Sequence, residues 1–168
     1  MQTKRITRIA LFTAVALLLH LVESMLPPLM PFAPGAKLGL SNLATLTALV
    51  LLGPIDAFAV LLLRCLLGAV FGGNPAALLY SVPAGVLSLA AQILLYTFAL
   101  RFVSLTGISL LGAAVHNVTQ VVVASLTVHT NLAAMLPLML AASLAAGLFV
   151  GLTAWLTVKY LPKRVYAT

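Results

Sequence analysis

The chain has 168 residues, of which 63% are hydrophobic and only 7% are charged. A soluble domain carries about 25% charged residues, so this composition excludes an ordinary soluble enzyme and points to a membrane protein. The net charge is +7, and the single cysteine, Cys65, excludes an internal disulfide and a cysteine-rich metal site.

An apolar helix needs about 20 residues to cross a bilayer core of about 30 Å. The expected architecture is therefore an all-α polytopic bundle of six transmembrane helices, in one integral membrane domain covering 1–168. The first span covers about 6–26 and stops at Pro27-Pro28. Its basic start and apolar run resemble a secretory signal, but removing it would leave an odd number of spans, so retention is expected. A connection rich in proline and glycine follows, from Pro31 to Ser41. The second span, 42–52, is near the lower limit for crossing. Gly53-Pro54 breaks the chain, and Pro54 suits the first turn of a new helix over 54–71. Gly72-Gly73-Asn74-Pro75 forms the next turn. The fourth span, 77–100, carries Pro83 as a kink near its start. The fifth covers 110–128 and the sixth 133–160, ahead of Pro162.

Charge sets the orientation. With both termini cytoplasmic, the inside holds Lys4, Arg5, Arg8, Arg101, Lys159, Lys163 and Arg164, and the outside only Lys37. This is the bias of the positive-inside rule. Basic residues scattered over separate membrane-proximal ends do not make a nucleic-acid patch.

Within the apolar spans a few polar residues carry the functional signal. Polar groups at membrane depth are costly and usually face the bundle interior or a water-filled cavity. His116, Asn117 and Gln120 share one uncharged helix, with His116 and Gln120 four apart on one face. Counting about 1.5 Å per residue places Arg64 roughly 13 Å deep and Gln92 about 12 Å deep. The same count puts His116 and Asn117 at roughly 9–10 Å and Gln120 near 15 Å. Three helices thus offer polar groups to one layer, and interhelical hydrogen bonding alone is the competing explanation. Glu23, Lys37, Asn42, Asn74, Tyr80, His129 and Asn131 are assigned to the outer face, which suggests an outward cavity with a polar floor. Asp56, in the first turn of its helix, is read as structural. Spacing disfavours a histidine metal site, and no cofactor is expected. Small residues recur four apart at Ala10 and Ala14, at Gly68 and Gly72, and at Ser143, Gly147 and Gly151, which permits close helix approach in lipid.

The stretch Pro34-Gly35-Ala36-Lys37-Leu38-Gly39-Leu40-Ser41-Asn42, Arg64 with Gly68, and Gly112 to Asn117 with Gln120 resemble the bacterial Gx transporters. These are also labelled heptaprenyl diphosphate synthase component I. The family in turn is similar to the S components of energy-coupling factor importers, which implies six helices and a bacterial cytoplasmic membrane. It also implies partner docking through Ala10 and Ala14. Thr119 stands where the family pattern has glycine.

The resulting expectation is a membrane substrate-binding subunit for uptake of a small anionic or acceptor-rich solute, energised by a coupling subunit with ATPases. Lys37, Asn42, Arg64, Gln92, His116, Asn117 and Gln120 would bind it. The alternatives are a membrane component of isoprenoid, quinone or flavoprotein-linked electron transfer, and a non-catalytic accessory subunit of a prenyl synthase. Catalysis by this chain alone is disfavoured. Magnesium held against a diphosphate needs oxygen ligands, and Glu23 and Asp56 are the only two acids. The chain also lacks the Gly-Lys-Ser/Thr loop that cradles ATP.

Overall fold

Glycine and proline end the helices where the backbone requires it. Gly53 has φ +96° and ψ 174°, a region that residues with a Cβ avoid. It closes α2 (Asn42–Leu52) and lets α3 (Pro54–Phe71) begin on proline. The computed structural model describes residues 2–25, 40–73 and 75–160. Lys37, Asn74, Lys163 and Arg164 lie outside these described residues. The other helices are α1 (Gln2–Met25), α4 (Ala77–Phe98), α5 (Leu105–Val128) and α6 (Leu136–Tyr160), the last preceded by a 3-10 turn at Ala133–Met135. No strand occurs among the described residues, so the fold is all-α.

Helix α5 reaches N-terminally beyond its most apolar stretch. Ser104 is extended and accepts a hydrogen bond from Gly107 N–H at 3.2 Å, an N-cap that starts the helix at Leu105. At the other end His129 adopts the left-handed conformation with φ 53° and closes it. Pro83 lies inside α4.

Side-chain contacts fix the helix directions. Arg5 Nε donates to Asp56 Oδ1 at 2.8 Å, joining the start of α1 to the start of α3. Toward the other end, a Cβ on Gly68 would lie 2.9 Å from His20 Nε2. Helices α1 and α3 therefore run parallel. Cys65 faces Ser81, and Gly85 faces Leu61, which makes α3 and α4 antiparallel. Ser88 reaches the Gly112 carbonyl at 2.7 Å, while Gly147 lies on Leu110 and Gly151 on Thr106. Direction thus alternates through α4, α5 and α6.

The core holds Leu46, Leu49, Val60, Leu61, Leu89 and Ile108, all fully buried. Outward positions are also apolar, among them Leu11, Leu18, Leu62, Leu94, Leu126 and Phe149. Among the described residues, five helices (all but α2) are long and apolar enough to cross a membrane. A surface that is apolar outside a packed interior suits lipid as solvent, where close packing and interhelical hydrogen bonds hold helices together. At the end carrying Arg5 and Asp56, Lys159 Nζ sits 4.7 Å from the Trp155 ring and Arg101 lies 5.4 Å from the Phe102 ring. Such cation–aromatic pairs are typical of a membrane–water boundary.

Candidate functional site

The length of α2 creates the site. Its eleven residues rise about 16 Å, whereas the eighteen of α3 rise about 27 Å. Both helices share the Gly53-Pro54 turn, so α2 starts roughly 10 Å short of the far end of α3. Ser41 and Asn42, at its start, are consequently buried inside the bundle. The assignment of Asn42 to the outer face is corrected by this shortness.

Arg64 sits ten residues along α3 from Pro54, about 15 Å up, level with the start of α2. It is 4% exposed. Its Nη1 donates to Ser41 Oγ and its Nη2 to Asn42 Oδ1 at 3.2 Å. Its Nε has no hydrogen-bond partner among the described residues. Glu23 on α1 adds a favourable electrostatic field at Arg64. This guanidinium ties α2 to α3, and Glu23 extends its surroundings to α1.

The other polar residues are also buried, but they hold different partners. Gln92 lies across Gly112, where a Cβ would stand 2.7 Å from Gln92 Cδ. Only glycine leaves room for it there. Asn117 Nδ2 donates to the Met139 carbonyl of α6 at 3.1 Å. His116 leans on the Ala84 backbone of α4 within electrostatic reach of Arg64, and its Nδ1 has no partner among the described residues. Gln120 is buried one turn further along α5. Arg64 thus meets Asn42 at the start of α2, while Gln92 shares a cavity wall with Asn42. Asn117 is engaged by α6 instead. A cavity of about 10 Å³, room for about one water, is lined by residues that include Asn42, Gln92 and Ser109.

The outer-face set separates in the same way. Glu23 is buried, whereas His129 and Asn131 are exposed at the end of α5. Asn131 Oδ1 accepts from Ala133 N–H at 2.9 Å, just ahead of the 3-10 turn. Ala10 and Ala14 lie exposed on the outer side of α1. Asp56 is held by Arg5, so the two acids stand toward opposite ends of the parallel pair α1 and α3. No group of three or more metal-ligating side chains occurs among the described residues.

The family model described as heptaprenyl diphosphate synthase component I matches residues 12–157. The chain belongs to that family. No curated protein and no solved structure matches it. The matched range takes in every residue of the polar layer, from Ser41 to Gln120.

Three serines belong to this layer that composition did not single out. Ser41 accepts from Arg64, Ser88 ties α4 to α5, and Ser109 lines the cavity. The signal for two of them is periodic. Ser88 is one turn from Gln92, and Ser109 is two turns from His116, so each continues a polar stripe along its helix.

Proposed function

We propose that this chain is a membrane-embedded, non-catalytic component of a prenyl diphosphate synthase, working beside a catalytic partner. The observation that carries this reading is the disposition of its acids, taken with the family's description. A diphosphate held through magnesium needs clustered carboxylates. Here Asp56 is engaged by Arg5 and Glu23 lies far along α1. The catalytic acids must therefore come from another subunit, and this chain contributes placement in the bilayer. The test is reconstitution of the catalytic subunit in vesicles with and without this chain. Heptaprenyl diphosphate synthesis is expected to depend on its presence. Equal rates in both preparations sink the reading.

A second reading is favoured by the burial of Arg64. Intramembrane charges mark solute pathways by default, and this one bonds Ser41 and Asn42 within electrostatic reach of His116. The chain would then capture a small anionic or acceptor-rich solute, with Lys37, Asn117 and Gln120 completing the contacts. Partner subunits would supply the energy, docking at Ala10 and Ala14. Native mass spectrometry of the purified protein is expected to detect a bound small molecule that Arg64→Ala loses while the fold in detergent survives. Co-purification of quinone or a flavoprotein, with no solute, would support electron transfer instead.

A further inference from the structure

Helix α2 starts inside the bundle, where Leu43 N–H donates to the Leu40 carbonyl at 3.0 Å. Ser41, at the N-cap, has helical dihedrals of −61° and −19°, and its side chain accepts from no backbone N–H of the first turn. The unsatisfied N–H groups of a helix start carry partial positive charge. A low-dielectric interior screens that charge poorly. Arg64 brings a full positive charge to the same place through Ser41 Oγ and Asn42 Oδ1. Helix starts favour anions and disfavour cations, so this pairing runs against the dipole. Two further buried atoms lack hydrogen-bond partners among the described residues, Arg64 Nε and His116 Nδ1. Glu23 offsets part of the charge through its field. Asp56, tied to Arg5 at the start of α3, does not take part.

We infer that the start of α2 and Arg64 together form a binding site for a small oxyanion group, a phosphate or carboxylate carried by a solute or a lipid headgroup. Such a group accepts from the guanidinium fork and from first-turn N–H groups at once. Half-length helices in transporters present their starts to anionic groups in the same way. The adjoining cavity of about 10 Å³ holds about one water. The oxyanion therefore enters by displacing Ser41 Oγ and Asn42 Oδ1 from Arg64, and the two side chains act as its stand-ins. This inference rests on the interior-site reading and is independent of the synthase pairing.

The test uses the full chain in phosphatidylcholine nanodiscs, titrated with inorganic phosphate and with acetate, and with chloride at matched ionic strength. Phosphate or acetate is expected to raise the Tm, and chloride is not. Asn42→Asp places a carboxylate at the same helix start. It is expected to raise the Tm without added anion and to weaken phosphate binding about tenfold or more, as loss of a charge-assisted hydrogen bond does. Arg64→Lys, which keeps the charge and loses the fork, weakens it by a similar factor. If phosphatidylglycerol nanodiscs raise the Tm and abolish the phosphate response, the oxyanion is a lipid headgroup. If the response persists, it is a free solute. The inference is overturned if no oxyanion raises the Tm in phosphatidylcholine, or if both variants leave the phosphate response unchanged. A co-purified solute without any oxyanion response would keep the interior site and remove its assigned chemistry. A failed synthase assay beside an Arg64-dependent response would remove the accessory role and leave this site standing.

Discussion

Gln92 and Gly112 show how tightly single residues are specified. The Gln92 side chain occupies the space a Cβ at position 112 would need, and neighbouring Ser88 holds the Gly112 carbonyl. Gly112→Ala is therefore expected to destabilise the protein by about 1–3 kcal/mol through overpacking, read as a lower Tm in detergent. Adding Gln92→Ala should restore most of that loss, because it removes the colliding atoms. If the double variant is no better than the single one, the clash is not the cause. Asn117 offers a contrasting case. Its amide donates to the Met139 carbonyl, so Asn117→Ala should cost about 1 kcal/mol as a lost hydrogen bond, with α5 and α6 loosened. The same residues indicate what could be read before the fold was known. That His116, Asn117, Gln120, Arg64 and Gln92 face inward follows from the cost of polar groups in lipid. Their partners do not follow from it, because depth along a helix says nothing of rotation about its axis. Depth places Arg64 in one layer with Gln92, His116 and Asn117, whereas its hydrogen bonds go to Ser41 and Asn42 at the start of α2.

At the scale of elements, the break between α2 and α3 is the informative joint. Gly53 combines φ +96° with ψ 174°, and a Cβ there would meet nothing within 4 Å. The cost of Gly53→Ala is then backbone strain alone, about 1–3 kcal/mol. Gly53→Asn should do no better, since asparagine tolerates the left-handed helical region and not this one. Thermal unfolding of the two variants checks this, and rescue by asparagine would count against the assigned conformation. Gly53-Pro54 was legible in the chain because both residues have mechanisms at a helix boundary. The start of α5 was less so. Composition marks the apolar stretch, while the helix begins at Leu105 under the Ser104 cap, five positions ahead of it. The mid-bundle position of Asn42 was hidden as well. Only the alignment of α2 against the longer α3 reveals it.

For the whole molecule, the alternating helix directions and the charge bias act together. Arg5, Asp56, Arg101 and Lys159 gather at one end, where Trp155, Tyr160 and Phe102 accompany the cations. The positive-inside rule assigns this end to the cytoplasm. Single cysteines introduced in a Cys65→Ala background test the assignment in intact cells. Thr3→Cys and Arg101→Cys should react with a membrane-impermeant maleimide only after permeabilisation, and His129→Cys without it. Labelling in the reverse pattern would invert the orientation. The family's fold class was legible from hydropathy alone, because lipid forces every backbone group into helical hydrogen bonds.

The short α2 also bears on how the chain enters its membrane. Eleven residues, three of them polar, are too few to be held as a spanning segment on their own, since about 20 are needed. Helix α3, in turn, carries a charge whose insertion is opposed by about 2.5–3.5 kcal/mol at mid-depth. Each segment is a poor solo candidate for the insertion machinery. Joined by the tight Gly53-Pro54 corner, they can leave it as a hairpin. Synthesis order helps, because Ser41 and Asn42 emerge before Arg64, and the acceptors are in place when the guanidinium arrives. The weakness of α2 as a lone anchor thereby becomes a means of delivering a cation into the bilayer already solvated by its own chain.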